Sequence, residues 1–412
     1  MSESRRPLSI CFLSDVSLPR LGGAQTVLDT LARRLMDQGH RPLVVVPPRR
    51  EPGQDDFPYP LLRHRRWLSK RFFTRLLLPR LLALHARHQF DLIHCHAAYP
   101  QAHVALAFRA LTGVPYVVRP HGSDVLPGEA IRRFPRLDRR MRRAICGADL
   151  VIAQGEHLRE VICDLGVAPM RVRVVNNGVS LGEFDRPTPY AHRRPYILGL
   201  GRLMPHKGFD ILLRAYALLP AEGPDLIVAG NGPESESLRT LAQSLGLGER
   251  VHFVGAVTGA RKASLYASSL CFVCPSRREP FANVILEALA SGVAVVATDV
   301  GGNPEMVRAG DNGLIVDRES PESLAAALRR IVGNPTLREA LCAGARASAV
   351  RYSWDAIAPQ YFALYREVRA RHGVTSASAH VPEMCREVTQ GAERSTGAVD
   401  TAGPGGLPTA AR

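Results

Sequence analysis

The chain of 412 residues is too long for one ordinary hydrophobic core and suits two domains, at roughly 100–200 residues per domain. Hydrophobic residues make up 46% and charged residues 22% of the sequence, a balance that excludes a mainly disordered chain. The net charge is +15, and residues 1–190 carry +12 of it. Such a basic half suits an anionic partner, whether nucleic acid, anionic lipid or an anionic substrate.

The N-terminal apolar run and the cysteines favour a cytoplasmic protein. That run is too short for a signal peptide, and without an uncharged apolar run of about 18 residues we expect no transmembrane helix. The cysteines are scattered, several within apolar strand-like runs, which is typical of buried free thiols in a reducing compartment. In "CFVC", Cys271 and Cys274 are predicted to point to opposite faces of a strand, which argues against a metal or redox role.

Short β-branched runs alternate with helical patterns along the whole chain, as in parallel sheets built from βαβ units. In the first half we predict helices that include 24–38 and 132–146. The predicted strands of this half are 10–13, 43–46, 91–94, 116–118, 150–153 and 172–175. Those of the second half are 196–199, 226–229, 251–253, 271–274, 294–297 and 313–316.

The predicted fold is α/β, with two doubly wound domains joined by a Pro-rich linker at 185–196. Such an arrangement places a ligand cleft at the carboxyl ends of both sheets. We assign residues 1–188 to an N-terminal acceptor-binding domain and 189–350 to a C-terminal donor-binding domain. A helix over 351–372 is expected to cross back to the first domain, and the Gly-, Ser- and Pro-rich tail, 373–412, is predicted to be disordered.

Two glutamates stand at the ends of an apolar run in "SRREPFANVILEALASG". Pro280 and Gly292 predict a helix over about 280–291, with Glu279 at its start and Glu287 about two turns inside. Eight residues span about 12 Å of helix, more than the roughly 5–9.5 Å between the carboxylates of glycoside hydrolases. We therefore interpret the glutamates as two contacts along one extended ligand. The alternative is that Glu287 pairs with a structural arginine and Glu279 caps the helix.

Cations follow the first strand of the second half, in "LGLGRLMPHKGFD". Arg202 and Lys207 suit a diphosphate there, the arginine as a planar fork and the lysine as a point charge. Lys207 stands out because the chain has 50 arginines and three lysines. Most charged loop residues are only solvated surface, which is the alternative for both.

Glycine turns follow other predicted strands, at Gly22-Gly23, in "GNGPE" with Asn231-Gly232, and at Gly301-Gly302. Each brings backbone N–H groups to the edge of a cleft, where an anion would bind, or serves only the sterics of a tight turn. In "VVRPHGSDVLPG", His121 and Asp124 follow a strand and face the same cleft, unless the histidine is merely bonded to local backbone.

Taken in order, these segments resemble the retaining, nucleotide-sugar-dependent glycosyltransferases of family 4, which have the GT-B fold of two Rossmann-like domains. The resemblance covers about residues 8–370. It rests on "GGAQTVLDTLARRL", "DLIHCHAAYP", "HGSD", "VVNNGV", "GRLMPHKGFDILLRA", "GNGPE", "EPFANVILEALASGVAVVATDVGGNPEMV" and "NGLIV". The chain departs from the family at Ala282, where glycine is frequent, and at Ala294, where proline is frequent. A slight change of fit around the sugar is expected.

The resemblance implies a role for each site residue. Arg202 and Lys207 would hold the donor diphosphate, Glu279 would contact hydroxyls of the transferred sugar, and Glu287 would bind the ribose diol. The implied catalytic residues are Glu279, His121, Arg202 and Lys207, with His121 and Asp124 on the acceptor side. The implied donor-binding residues are Gly22, Gly23, Arg202, Lys207, Asn231, Gly232, Glu279, Phe281, Ala282, Asn283, Glu287, Gly301 and Gly302. No metal or other cofactor is expected, because these cations would stabilise the leaving group.

Two basic segments of the first half favour attachment to a membrane surface. The segment between Arg63 and His88 mixes arginine with Trp67 and many leucines, as in a helix lying on anionic lipid. Between Arg132 and Arg143 there are seven arginines. The alternative is that the leucine face packs on the sheet and the arginines are simply solvated.

The predicted function is transfer of a hexosyl or N-acetylhexosaminyl group from a UDP- or GDP-sugar to a saccharide or lipid-linked acceptor, in bacterial cell-surface polysaccharide or glycolipid synthesis. The predicted partners are that donor, that acceptor and the cytoplasmic face of an anionic inner membrane. Nucleic acid is disfavoured because no nucleic-acid-binding signature accompanies the charge. The alternatives are a GT-B nucleotide-sugar epimerase or sugar-phosphate synthase, and a basic binding protein that has lost catalysis.

Overall fold

The computed structural model describes residues 6–16, 18, 22–48, 56–64 and 73–372, except the side chain of Phe73. The predicted disordered tail lies outside the described residues, as do Cys385 and the residues Trp67 and Phe72 of the first basic segment. Two all-parallel sheets, one in each half of the chain, carry the fold. The predicted α/β class of two doubly wound domains is confirmed.

The first sheet has seven strands in the order β3-β2-β1-β4-β5-β6-β7. Its strands are β1 Ser9–Ser14, β2 Arg41–Val46, β3 Leu61–Arg63, β4 Leu92–His96, β5 Tyr116–Val118, β6 Leu150–Ala153 and β7 Val172–Val174. The helices of this half are α1 Gly23–Asp37, α2 Phe73–His88, α3 Gln101–Thr112, α4 Ala130–Arg133, α5 Pro135–Cys146 and α6 Glu156–Asp164. Strand β3 was not predicted from the sequence, since it is only three half-buried residues long.

The second sheet has six strands in the order β10-β9-β8-β11-β12-β13. Its strands are β8 Tyr196–Leu200, β9 Asp225–Ala229, β10 Val251–Gly255, β11 Cys271–Cys274, β12 Val295–Thr298 and β13 Gly313–Val316. The helices are α7 Phe209–Ala217, α8 Ser235–Ser244, α9 Gly259–Ala267, α10 Asn283–Ala290, α11 Asn303–Met306, α12 Pro321–Gly333, α13 Pro335–Ala349 and α14 Trp354–Arg371.

The strands are apolar on both faces because helices cover both faces of a parallel sheet. All six residues of β1 are buried, and Cys271 and Cys274 of β11 lie in core clusters on opposite faces of the second sheet. Each large apolar side chain so buried contributes about 1.5–3 kcal/mol to folding. Burial also raises the pKa of the Cys271 thiol to about 12 and that of Cys274 to about 11. Both thiols therefore stay protonated and inert, which supports their structural interpretation.

Helix α14 follows the second domain in sequence but packs against the first sheet. Trp354, Tyr361 and Tyr365 are buried in one core cluster with Ile10 and Phe12 of β1. These aromatic side chains bury large areas, so α14 ties the end of the described chain firmly to the first domain.

Two predicted helices differ from the structure. The helix predicted over 132–146 is broken at Phe134, which is extended (φ −105°, ψ 107°), because the residue before a proline avoids helical dihedrals. The helix predicted over 280–291 begins instead at Asn283, and the backbone of Glu279 and Pro280 packs beneath another loop.

In the described part of the first basic segment, α2 turns its leucine face toward the protein. Leu77 and Leu81 are buried in the core under the first sheet, whereas Leu76 is exposed. In α5, Asp138 forms ion pairs with Arg132 and Arg142. Within the described ranges no helix is both long and apolar enough to cross a bilayer. Packing of the leucines on the sheet is thus the better interpretation for 73–88.

Candidate active site

The loops at the carboxyl ends of the two sheets contact each other across the domain boundary. Gly122, after β5, has φ +96° and packs so closely on Pro280, after β11, that an added Cβ would lie 2.6 Å from the proline ring. Gly23, at the start of α1, is equally close to the Asn283 amide at the start of α10. An added Cβ at Gly122 would clash with the proline ring, and one at Gly23 would displace the Asn283 side chain, so the two domains are in close contact at these turns.

A carboxylate from the second domain caps a helix of the first. Glu305 of α11 accepts hydrogen bonds from the backbone N–H groups of Glu156 (2.8 Å) and His157 (2.9 Å), at the start of α6. A carboxylate is favoured there by the unpaired N–H groups and the helix dipole. A second bridge joins Arg278 to Glu129 at 3.1 Å. The described structure is therefore closed around the cleft.

Glu279 and Lys207 form an ion pair between the loops after β11 and β8. The glutamate side chain is only 7% exposed, and it also accepts a hydrogen bond from Ser276 Oγ at 3.3 Å. Burial alone would lower the pKa of the Lys207 ammonium, but attraction to Glu279 and the hydrogen bond between them outweigh burial and raise it. Lys207 is thus a fixed positive charge, and its ammonium has further N–H donors for a ligand.

The glycines of the Gly301-Gly302 turn are required by its close approach to the Glu279 backbone. Gly301 has φ +52°, and an added Cβ would lie 1.8 Å from the Glu279 carbonyl oxygen. Gly302 donates its N–H to the same oxygen at 3.2 Å. The turn therefore holds Glu279 in place, which agrees with the alternative that these glycines serve the sterics of a tight turn. Contact of the turn with a donor stays a prediction.

Glu287, inside α10, finds its partners within the protein. Its carboxylate accepts from Lys262 Nζ at 2.6 Å and from the Tyr266 hydroxyl at 3.1 Å, both on α9. Burial, and then the nearby Glu287, raises the pKa of Tyr266 well above its usual range, so the phenol donates. The expected partner was a ligand or a structural arginine, and it is a lysine, so burial of Glu287 does not by itself require a ligand.

The other predicted donor-binding residues differ in how far their side chains are exposed near the Lys207–Glu279 pair. Arg202 is exposed, and its charge opposes the raised pKa of Lys207, so the two cations are neighbours. Asn231-Gly232 packs on the Arg202 loop, where an added Cβ on Gly232 would lie 2.1 Å from the Leu203 oxygen. Phe281 and Ala282 are buried in the core, Phe281 against Tyr352, so only their backbone is available to a donor.

His121, half-buried, belongs to a cluster of neutral imidazoles in the first domain with the fully buried His94 and His96. Its ring packs on His96 with centroids 4.3 Å apart. Burial, followed by His96, Arg119 and His94, lowers the pKa of His121 well below its usual range, against a smaller opposing contact with the His96 backbone. Burial and Arg119 lower the pKa of His96 to about 3. The cluster therefore offers neutral hydrogen-bonding groups.

Asp124 holds the His121 loop rather than facing the cleft freely. It is 6% exposed, and its oxygens accept from the backbone N–H groups of Ala98 (2.6 Å) and His121 (3.0 Å). Burial raises the pKa of Asp124 despite these hydrogen bonds. Its predicted place on the acceptor side is thus indirect, through the loop that it fixes.

One cluster of the described residues has ligands suited to a metal ion. His192 and His252 contact the same oxygen of Asp225, at 2.9 and 3.2 Å. Asp225 begins β9, at the amino edge of the second sheet, away from the Lys207–Glu279 pair. Arg194 also lies 3.5 Å from this carboxylate, which disfavours a cation there. The expectation that transfer needs no metal stays a prediction.

Sequence reasoning missed several groups around the cleft. Lys262 had a signal, since it is one of three lysines, but nothing in the sequence placed it against Glu287. Arg119 and Asn177 form a buried hydrogen-bonded pair, and Arg119 is hidden among 50 arginines. The cap by Glu305 depends on the approach of the two domains, which local patterns do not encode.

Two facing Rossmann-like domains, with cations and carboxylates collected at the carboxyl ends of their strands, define the GT-B class of architecture. The chain belongs to the family 4 glycosyltransferases: residues 21–183 match the family model "Glycosyltransferase Family 4" and residues 183–348 match "Glycosyl transferases group 1". The family predicted from the sequence is confirmed, and the protein is a glycosyltransferase of GT-B type.

Curated relatives and solved structures agree with this assignment. The chain is 35% identical over 312 residues to the D-inositol 3-phosphate glycosyltransferase of Nocardioides sp., covering 68% of each chain. It is 33% identical to that of Actinosynnema mirum, over 70% of this chain and 76% of the relative.

Two solved structures show the fold. Sucrose-phosphate synthase from Thermosynechococcus elongatus has a TM-score of 0.78 at 24% identity, covering 88% of this chain and all of that one. Anabaena HepE in complex with UDP-glucose has a TM-score of 0.73 at 22% identity, covering 87% of this chain and all of that one.

Proposed function

We propose that the protein transfers a sugar from a nucleoside-diphosphate sugar to an acceptor hydroxyl with retention of anomeric configuration. The observation that carries this proposal is the pair of lysine–glutamate contacts on α10 and the loop before it, Lys207–Glu279 and Lys262–Glu287. One pair lies at the domain boundary and the other farther along the helix. The spacing suits an extended donor with its sugar near the boundary and its nucleoside along α10.

In the proposed complex, Lys207 keeps its contact with Glu279 and adds one to the donor diphosphate, since an ammonium has three N–H donors. Arg202, exposed beside it, takes the remaining phosphate oxygens as a planar fork. Glu279 accepts from sugar hydroxyls. Glu287, 20% exposed, accepts from the ribose diol while Lys262 and Tyr266 hold its carboxylate in position.

The proposed reaction breaks one bond at the anomeric carbon and forms another. The bond between the anomeric carbon and the diphosphate oxygen breaks, and its electron pair stays on that oxygen, beside Lys207 and Arg202. Fixed positive charge at a developing anion is usually the largest electrostatic contribution to catalysis. The acceptor oxygen bonds to the same face of the anomeric carbon, and its proton passes to the leaving phosphate. Closure of the domains excludes water, which would otherwise hydrolyse the donor.

For the acceptor, we propose a hydroxyl of a saccharide or lipid-linked saccharide in the synthesis of a bacterial cell-surface polysaccharide or glycolipid. The curated relatives from Nocardioides and Actinosynnema are named for D-inositol 3-phosphate, so this compound is the first single acceptor to test. For the donor, UDP-glucose is the first sugar nucleotide to test, because HepE has been solved with it. GDP-sugars are the second choice.

A thermal-shift screen of UDP, GDP and ADP sugars tests the donor, because a ligand that binds only the native state raises apparent stability by mass action. We expect one nucleotide class to raise Tm, with loss of the shift in Lys207→Ala and retention in Asp355→Asn, which breaks an exposed ion pair with Arg34 of α1. Absence of any shift would count against the proposal. Epimerised nucleotide sugar formed without acceptor would instead favour the epimerase alternative.

Peripheral membrane attachment is a separate proposal, supported by the net charge of the first half and by the exposed Phe134 between the arginines of α4 and α5. Vesicles containing anionic lipid should retain the protein at low salt and release it at high salt, since such attraction is screened. Equal recovery in the supernatant with anionic and neutral vesicles would rule the attachment out. Phe134→Ser is the matched variant, expected to bind anionic vesicles more weakly.

A further inference from the structure

Arg119, the residue after β5, is fully buried and has no carboxylate partner among the described residues. Its guanidinium donates to three neutral acceptors: the Tyr361 hydroxyl (2.7 Å), His121 Nδ1 (3.2 Å) and Asn177 Oδ1. Buried charges are usually paired with opposite charge. A buried cation held only by neutral groups beside a cleft calls for an explanation beyond packing.

A guanidinium has only donors, and this fixes the direction of every hydrogen bond that it makes. Asn177 must present its carbonyl oxygen to Arg119, so its amide nitrogen points the other way. That nitrogen donates to Asn283 Oδ1, across the domain boundary at the start of α10. Asn283 in turn keeps its own nitrogen for the remaining side, which faces Gly23.

The side that faces Gly23 is where the donor diphosphate would lie. The Gly22-Gly23 turn is the part of the first domain that the family resemblance implicates in donor binding, and Asn283 follows the Glu279–Ala282 loop directly. An amide N–H pointed there donates to a phosphate oxygen, whereas an amide turned by 180° would present an oxygen and repel the same anion.

We propose that Arg119 is a positioning residue that acts through Asn177 to turn the Asn283 amide, so that its N–H groups face the donor diphosphate. The inference rests on the proposed function, since it requires a nucleoside-diphosphate donor in this cleft. In this relay, the Arg119 guanidinium fixes the orientation of the Asn177 amide, and the Asn177 amide fixes that of Asn283. His121, held at Nδ1 by the same guanidinium, is positioned by the second arm of this fork.

Asn177→Asp tests the direction of this relay. The new carboxylate would pair with Arg119 and leave the fold at least as stable, but it cannot donate to Asn283. The Asn283 amide would then turn its nitrogen toward Asp and its oxygen toward the diphosphate. We expect the affinity for UDP, or for whichever nucleoside diphosphate binds the wild type, to fall about 10-fold while Tm stays the same or rises.

Two further variants separate this effect from simpler causes. Asn177→Leu breaks the relay without adding charge and should lower the affinity about 3-fold. If repulsion by the new carboxylate were the only cause of the loss in Asn177→Asp, Asn177→Leu would keep the wild-type affinity. Tyr361→Phe removes an acceptor from Arg119 but leaves the relay intact, so its affinity should stay within about 2-fold of wild type. The titrations use isothermal calorimetry on the full chain.

Each result supports or overturns the inference. Wild-type affinity in Asn177→Asp, or loss in Tyr361→Phe as large as in Asn177→Asp, overturns it while leaving the proposed function standing. A wild type that binds no nucleoside diphosphate overturns the proposed function, and this inference with it. Loss of affinity in both Asn177 variants, with native Tm and an intact Tyr361→Phe, supports the relay.

Discussion

The two sides of the cleft present their polar groups in different ways. On the second domain, Glu279 and Glu287 each hold a lysine, and both pairs are partly open to a ligand. On the first domain, the polar groups are neutral imidazoles around the buried Arg119. Under the proposed function, the second domain would supply charge to the donor and the first would supply directed hydrogen bonds.

Loss of charge on the second domain should have the largest effect. We expect Glu279→Ala and Lys207→Ala each to reduce the rate of transfer at least about 1,000-fold, since one removes the proposed contact with the sugar and the other the proposed charge at the leaving group. Steady-state kinetics with the identified donor measures this. Asp355→Asn, which loses an exposed ion pair with Arg34 of α1, should keep near-native turnover. Wild-type turnover in either Ala variant would contradict the site assignment.

Acid should weaken the first domain through its histidines. His94, His96 and His121 have lowered pKa values, chiefly through burial. They are neutral when folded but protonate near pH 6.5 when unfolded, so their stabilisation is complete above about pH 6.5 and is lost as pH falls. Each contributes at most about 1.4 kcal/mol per pH unit.

Urea unfolding between pH 7.5 and 5.5 measures this slope. His94→Gln, which removes one of the imidazoles whose pKa burial lowers, should show a shallower loss of the free energy of unfolding with falling pH. The raised pKa of Asp124 acts in the opposite direction. A slope that is flat in the wild type, or unchanged in His94→Gln, would mean that these imidazoles are not kept neutral by the fold.

Glu287→Gln should weaken nucleoside binding selectively. Its carboxylate is the proposed acceptor for the ribose diol, and a hydrogen bond to a charged group is typically stronger than one to an amide. We expect the affinity for UDP to fall about 10-fold, with little change in the affinity for pyrophosphate, which has no ribose. An equal loss for both ligands would place Glu287 with the phosphates or with the fold instead.

The smallest expected effect is on domain closure. Glu305→Gln keeps one acceptor for the start of α6 but loses the charge that favours the helix N-terminus, about 1 kcal/mol. We expect faster limited proteolysis of the 185–196 linker and a few-fold lower kcat/KM. Asp355→Asn, at an exposed ion pair with Arg34, is the control and should change neither. Native proteolysis in Glu305→Gln would show that the cap does not hold the domains closed.

Much of the fold follows from local sequence. Buried parallel strands such as β1 and β6 are continuous apolar runs, which is why they were predicted almost to the residue. Strand β3 was not predicted because three half-buried residues are too few to show the hydrophobic periodicity of a strand. The start of α10 at Asn283 was misplaced because Glu279 and Pro280 are held by the distant Gly301-Gly302 turn, a tertiary contact.

The sequence drew attention to charged residues of the candidate site but not to the residues that they pair with. Glu279, Glu287 and Lys207 attracted notice because charge is rare in apolar runs and lysine is rare in this chain. Their pairing was not predictable, since Lys207 and Lys262 lie far from the glutamates in sequence. Arg119 gave no signal at all, because its importance comes from burial without a counter-ion.

The central claim is retaining transfer from a nucleoside-diphosphate sugar in this cleft, and the anomeric configuration of the product tests it most directly. Once the donor and acceptor are identified, the anomeric proton of the product is followed by NMR during turnover, with Glu279→Ala as the inactive control. We predict the same configuration as in the donor, and no product from the variant. An inverted product, or equal formation by Glu279→Ala, would contradict the account.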